Sequence, residues 1–131
     1  MKVNQYDFSV IGDERGSLIS LESMKNIPFN IKRVYYMYDL ARNKARGFHA
    51  HKELKQVMVC LKGSCKVLLD DGKEKVEVVL KRPNQGVLID VMIWHEMYDF
   101  SHDCTLVVLA NDHYKEEDYI RNYEEFMEVL I

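Results

Sequence analysis

The sequence predicts an all-β fold, a sandwich or barrel of short strands closed by a short C-terminal helical segment. Three observations carry this. Runs with two-residue alternation, or rich in β-branched and aromatic residues, recur up to Ala110, as strands do. Turn residues separate these runs at close spacing, and Asp70-Asp71-Gly72 between alternating segments is the strongest hairpin signal. After Glu116 the pattern changes: Tyr119, Ile120, Tyr123, Phe126, Met127 and Leu130 fall at helical spacing with acidic residues between them. An immunoglobulin-like sandwich would show the same number of strands, so the choice among β folds rests on the histidines.

In chain order, Val3 to Ile11 is β-like, and Gly16 closes a turn after Asp13, Glu14 and Arg15. Ser17 to Glu22 alternates weakly. Pro28 precedes a strong strand at Ile31 to Tyr38, whose KRVYYMY run suits a pleated surface. Asn43 to Arg46 reads as a charged loop, and Phe48 to Lys52 as a short alternating strand. Gln56 to Leu61 is apolar after its first residue and is expected to be buried on both faces. Cys65 to Leu69 and Lys75 to Leu80 form the hairpin, and Val87 to Val91 and Thr105 to Ala110 are apolar strands. Glu116 to Leu130 is the helical tail.

The 131 residues suit one domain, spanning 1–131, without linker or repeat. Hydrophobic residues make up 47% and charged residues 30%, the mixture of a globular chain. A net charge of −3 argues against a nucleic-acid partner but leaves room for a local basic pocket. No apolar run reaches the ~18 residues of a membrane span, and the start MKVNQYDFSV lacks a signal-peptide core. A cytoplasmic location is expected. Cys60, Cys65 and Cys104 lack CxxC spacing and sit in apolar stretches, so they read as buried thiols.

His49 and His51 stand two apart, so on a strand both imidazoles share one face, roughly 6–7 Å from each other. Phe48 and Ala50 then point to the opposite side, toward a core. A bare HxH pair is more often two surface histidines. Here Gly47 precedes it, Gln56 follows five residues after His51, and Gly63 closes the next strand. The span GFHAHKELKQVMVCLKG resembles the first motif of the cupin superfamily, a jelly-roll β-barrel fold. It departs at Gln56, which stands where that motif has a metal-ligating glutamate. The second motif is loosely present, in Gly86 and His95. A neutral amide is a weaker ligand than a carboxylate. The reading is therefore a site without metal or other cofactor, in which histidines move protons. A three-histidine metal site of His49, His51 and His95 is the alternative. Tyr35 shares a strand face with Arg33 and Met37, and either donates to a reacting oxygen or packs in the core.

Together these segments resemble the sugar nucleotide 3,4-ketoisomerases, small cupins of the WxcM-like type. The matching stretches are ERGSL (Glu14 to Leu18), IPFNIKRVYY (Ile27 to Tyr36), RGFHAHK (Arg46 to Lys52), QVMVCLKGSCKVLLDDG (Gln56 to Gly72), WHEM (Trp94 to Met97) and DYIRNYEEF (Asp118 to Phe126). The resemblance implies an isomerase that shifts the keto group of dTDP-4-keto-6-deoxy-D-glucose from C4 to C3 through an enediol. It implies His49 as the leading acid/base, with His51 and Tyr35 as partners. Arg46, and less directly Arg33 and Arg121, would bind the diphosphate or the sugar; guanidinium forks suit phosphate oxygens. The family has a gluco- and a galacto-forming branch, and the pair Arg15 and His95 looks like the galacto type. It further implies a homodimer that exchanges N-terminal strands, with no membrane partner. A metal-dependent cupin, a 3,5-epimerase and a sensor without turnover are the competing expectations.

Overall fold

The structure is a computed structural model that describes residues 1–131. Its strands are β1 (Gln5–Asp7), β2 (Ile11–Asp13), β3 (Gly16–Leu18), β4 (Arg33–Met37), β5 (Arg46–His51), β6 (Gln56–Lys62), β7 (Cys65–Asp70), β8 (Lys75–Leu80), β9 (Gln85–Ile89), β10 (Trp94–Tyr98), β11 (Thr105–Ala110) and β12 (Tyr119–Ile120). One helix, α1 (Tyr123–Val129), follows them. Two five-stranded sheets face each other, in the orders β1-β9-β6-β11-β4 and β12-β5-β10-β7-β8, and β2 and β3 form a separate hairpin. Every strand pairing is antiparallel. This is a cupin-like jelly-roll sandwich, the all-β architecture that the alternation predicts.

The space between the sheets is filled by Met58, Cys60, Ile89, Leu106 and Val108 from the first sheet and by Val67, Leu69, Val78, Leu80 and Met97 from the second. Strand β6 is buried on its other face too. There Val57 and Val59, with Leu109 of β11, meet Phe8, Ile27 and Phe29, carried by the N-terminal segment across the back of the sheet. That second layer explains the near-continuous apolar run, although Leu61 at its end is exposed. Behind the second sheet, Ala50 and Trp94 pack under Ile120 and Phe126 of the C-terminal segment. The three cysteines are free and buried, with Cys60 and Cys104 sulfurs 3.8 Å apart.

The Asp-Gly hairpin forms as expected, with Asp70 opposite Lys75 and the Asp70 carboxylate accepting from the Gly72 N–H at 2.8 Å. Four expectations change. The helical tail is broken: Glu116–Asp118 is one 3-10 turn, Tyr119–Ile120 is a strand, and only Tyr123–Val129 is α-helix. Backbone bonding to β5 outcompetes the helix there, because β12 pairs with His51 and Ala50. Asn122 then starts α1 afresh by accepting from the Glu125 N–H at 3.0 Å. Trp94–Tyr98 is a strand that no apolar run announced, since His95 and Glu96 interrupt the pattern. The weak strand expected at Ser17 to Glu22 stops at Leu18; Ile19 and Leu21 instead pack on the outer layer.

The fourth change matters most for function. Phe48 is 44% exposed rather than buried. Gly47 and Phe48 both have positive φ, of 97° and 59°, and the pairing with β10 slips between His95 and Glu96. This is a β-bulge, one extra residue on β5. A side chain at position 47 would place its Cβ 2.8 Å from the His95 carbonyl oxygen, so glycine is required on steric as well as torsional grounds. The bulge reverses the in–out parity of the strand, so Arg46 reaches the same side as His49.

Candidate active site

A cavity of about 370 Å³ opens between the sheets at one end of the sandwich. The first sheet contributes Arg33, Tyr35, Met37 and Met58, the second Arg46, Gly47, His49, His95 and Met97. The C-terminal segment closes one side with Tyr114, Tyr119 and Arg121. Thus the alternation Arg33, Tyr35, Met37 faces inward, which decides the point that the pattern of β4 left open.

Three imidazoles cluster at this wall. The ring centroid of His49 lies 5.0 Å from that of His51 and 4.5 Å from that of His95. The first distance is shorter than strand rise suggests, because the rings meet edge to face at 87°. Each ring spends Nδ1 inside the protein: His49 on the Gly47 carbonyl at 3.0 Å, His95 on the Ile93 carbonyl at 3.2 Å, and His51 on the Asp118 carboxylate at 3.1 Å. A carbonyl oxygen only accepts, so Nδ1 carries the proton in His49 and His95, and the neutral ring leaves Nε2 as a bare acceptor.

Burial favours that neutral form. Desolvation holds His49 below its usual pKa, Arg121 adds to this, and the Gly47 carbonyl partly opposes it. His95, buried and beside His49, is lowered to about 3. His51 is lowered to about 4 by burial and by His49, against the pull of Asp118. Tyr35 is driven well above its usual value by burial, with Arg33 and Arg46 opposing. Its hydroxyl donates to Gln56 Oε1 at 2.5 Å. Gln56, standing where the cupin motif has a carboxylate, is thus a partner of the cavity tyrosine.

The arginines differ in freedom. Arg33 stacks over Tyr35 at 5.0 Å and its Nε is buried without a partner. Arg121 lies 4.1 Å over the Tyr119 ring and forks onto Glu116 at 2.8 and 2.9 Å. Arg46 is exposed at the cavity mouth.

Two sequence-predicted residues stand elsewhere. His51 is only 2% exposed and is not on the cavity wall; His49 and Tyr119 pack against it. It follows the same face as His49 but one step deeper, where the β12 strand covers it. Arg15 sits on the β2–β3 hairpin, outside the cavity, with its side chain 84% exposed and ion-paired to Asp13 at 2.6 Å. The hairpin pairs only with itself and carries Arg15 away from its own chain's site. Conversely, Tyr114 and Tyr119 line the cavity and sequence reasoning missed them. Tyr119 read as part of the apolar face of a helix, and Tyr114, ahead of that pattern, lay in no recognised element.

A β-sandwich cavity lined by neutral histidines, a buried phenol and three arginines suits an enzyme that does acid/base chemistry on an anionic ligand. The comparisons agree. The family model FdtA, described as WxcM-like, C-terminal, matches residues 1–130, and the chain belongs to that family. It is 53% identical over 124 residues to the TDP-4-oxo-6-deoxy-alpha-D-glucose-3,4-oxoisomerase of Aneurinibacillus thermoaerophilus, covering 95% of this chain and 89% of the relative. A 3,4-ketoisomerase structure from Helicobacter canadensis superposes with a TM-score of 0.97 at 47% identity, over 99% of this chain and 98% of that one. Two Campylobacter jejuni structures also match. The TDP-quinovose 3,4-ketoisomerase has a TM-score of 0.92 at 47% identity, over 96% and 97% of the chains. The TDP-fucose-3,4-ketoisomerase has 0.93 at 39%, over 100% and 97%. The protein is a 3,4-ketoisomerase of a TDP-linked sugar. No helix is long and apolar enough to cross a membrane.

Proposed function

We propose that the enzyme converts dTDP-4-keto-6-deoxy-D-glucose to dTDP-3-keto-6-deoxy-D-galactose, with His49 as the base. The observation that carries this is His49 itself: a neutral ring on the cavity wall, with Nδ1 spent on Gly47 and Nε2 free. The C4 carbonyl acidifies the C3 hydrogen. His49 removes that proton and an enediol forms across C3 and C4. A proton returns to C4 as the C3 hydroxyl loses its own, leaving a ketone at C3 and a hydroxyl at C4. Tyr35 stands beside this path, and rotation of its hydroxyl from Gln56 to the sugar oxygen supplies a donor to the enediolate. Arg33, Arg46 and Arg121 hold the diphosphate by charge-assisted hydrogen bonds. His51 supports His49 from behind.

The product configuration depends on which face of the enediol is protonated. His95, on the wall 4.5 Å from His49, supports delivery to the face that yields the galacto product. Arg15 joins it only from a second copy. Val10, Ile11 and Leu18 around its hairpin, and Val34, Tyr36 and Tyr38 on the outer face of β4, are exposed apolar side chains that a homodimer with exchanged N-terminal strands would cover.

Proton NMR of the enzyme with dTDP-4-keto-6-deoxyglucose in heavy water tests the reading. The expected product has its ketone at C3, deuterium at C4 and the galacto configuration there. A gluco product removes the role given to Arg15 and His95. Label at C5 without a carbonyl shift would identify an epimerase instead. His49→Asn is expected to keep the fold and lose turnover about 10²–10⁴-fold; unchanged turnover removes His49 from the mechanism.

A further inference from the structure

Two buried polar side-chain atoms have no hydrogen-bond partner: Arg33 Nε and His51 Nε2. The second has a cause. Asp118 takes His51 Nδ1 at 3.1 Å, and its two oxygens also accept the N–H groups of Glu53 at 2.8 Å and Leu54 at 3.3 Å. Its own carbonyl accepts the Lys52 N–H at 3.0 Å. One residue of the C-terminal segment is therefore tied to four consecutive residues of the histidine strand and the turn after it. A carboxylate so placed accepts and does not donate, so it admits only the His51 tautomer with the proton on Nδ1. The opposite tautomer would set two acceptors against each other inside the protein, which is unfavourable.

The packing carries this constraint forward. The His51 ring stands edge to face with His49 and lies 4.4 Å from Tyr119, the residue next to Asp118 and a member of the cavity wall. His49 is otherwise held by the Gly47 carbonyl and by the rings of His95 and Tyr119, 4.5 and 4.9 Å away. The His51 ring behind it is one of the three that limit its rotation.

We propose that Asp118 is a positioning residue of the isomerase: it fixes the tautomer and rotation of His51, which buttresses His49 against the sugar. The inference rests on the reading of His49 as the base. Asp118 does not line the cavity, so it acts through its neighbours rather than on the substrate. The backbone carbonyls that orient the other two imidazoles are beyond the reach of substitution; Asp118 is the one side chain that hydrogen-bonds a ring of the cluster.

Nitrogen-15 NMR of histidine-labelled enzyme tests it, with His51→Gln assigning the resonances. In the unaltered enzyme His51 is expected to carry its proton on Nδ1. In Asp118→Asn the amide offers both a donor and an acceptor, so the His51 signals are expected to move toward the other tautomer. Turnover per folded molecule is expected to fall about tenfold or more with KM within about twofold. A proton on His51 Nε2 in the unaltered enzyme overturns the proposal. So does a tautomer change without loss of kcat, or a loss of kcat with the His51 spectrum unmoved. Should Asp118→Asn fail to fold, Asp118→Glu makes the same comparison: its displaced carboxylate must shift the His51 resonances and lower kcat together, and either alone overturns the proposal. Turnover that survives in His49→Asn sinks the parent reading instead, and leaves the His51 tautomer where the spectrum puts it.

Discussion

The two ends of the space between the sheets share strands but not character. On the inward face of β6, Gln56, Met58 and Cys60 pass from the site to the core. On β4 the neighbouring sequence is Arg33, Tyr35, Met37, and the register through β11 sets Arg33 level with Gln56, Tyr35 with Met58, and Met37 with Cys60. On β10 it is His95 then Met97. At the thiol end, short apolar side chains let the sheets close into a packed core. At the other end long polar side chains keep them apart, among them Tyr35 held by Gln56 and Arg121 held by Glu116. The cavity is thus the unfilled end of one hydrophobic layer, and the methionines form the border between the two.

The two ends can be damaged separately. His49→Asn is expected to cost turnover and leave the melting temperature nearly in place. Leu106→Ala, at the closed end, is expected to cost about 2–5 kcal/mol of stability and leave turnover per folded molecule unchanged. Urea titrations beside single-turnover assays would show it; a core variant that abolishes chemistry at full folding would mean the two ends are not independent.

A sharper separation comes from pH. His51 and His95 are held neutral in the fold, below their unfolded value near 6.5. The unfolded chain therefore binds more protons, and stability rises with pH. Their contribution is whole above about pH 6.5. It is lost as pH falls toward about 4 for His51 and about 3 for His95. Each group costs about 1.4 kcal/mol per pH unit within its window. Urea midpoints measured from pH 7 to 5 should fall, and should fall less in His95→Asn. Identical slopes in the two proteins would contradict the assignment.

Tyr35→Phe probes the border itself. It leaves Gln56 Oε1 buried without its donor, at about 1–3 kcal/mol. It is expected to slow turnover less than His49→Asn does. A loss as large as that of the histidine variant would make Tyr35 a principal proton carrier. The smallest expected effect is that of a chelator: prior treatment with EDTA should leave turnover unchanged, and a loss restored by a divalent ion would return Gln56 and the histidines to the metal reading.

Much was legible along the chain. The Asp70-Asp71-Gly72 hairpin, the strands at Ile31 to Tyr38, Gln56 to Leu61 and Thr105 to Ala110, and the HxH pair are carried by neighbouring residues, whose alternation and turn chemistry act over a few positions. Arg33, Tyr35, Arg46, His49, His95 and Arg121 do meet at one cavity. What could not be read depends on partners far away in sequence. The bulge that turns Phe48 outward and Arg46 inward exists because β5 pairs with β10. The break in the C-terminal helix exists because Asp118 and β12 bind the histidine strand. Sequence alone determined the alternating strands, their turns and the chemical types available to the site, because those follow from local backbone preference. Only the tertiary structure decided which imidazole faces the cavity, which is shielded behind it, and which tautomer each adopts. Those choices are made by hydrogen-bond acceptors and packing surfaces that the folded chain alone brings together.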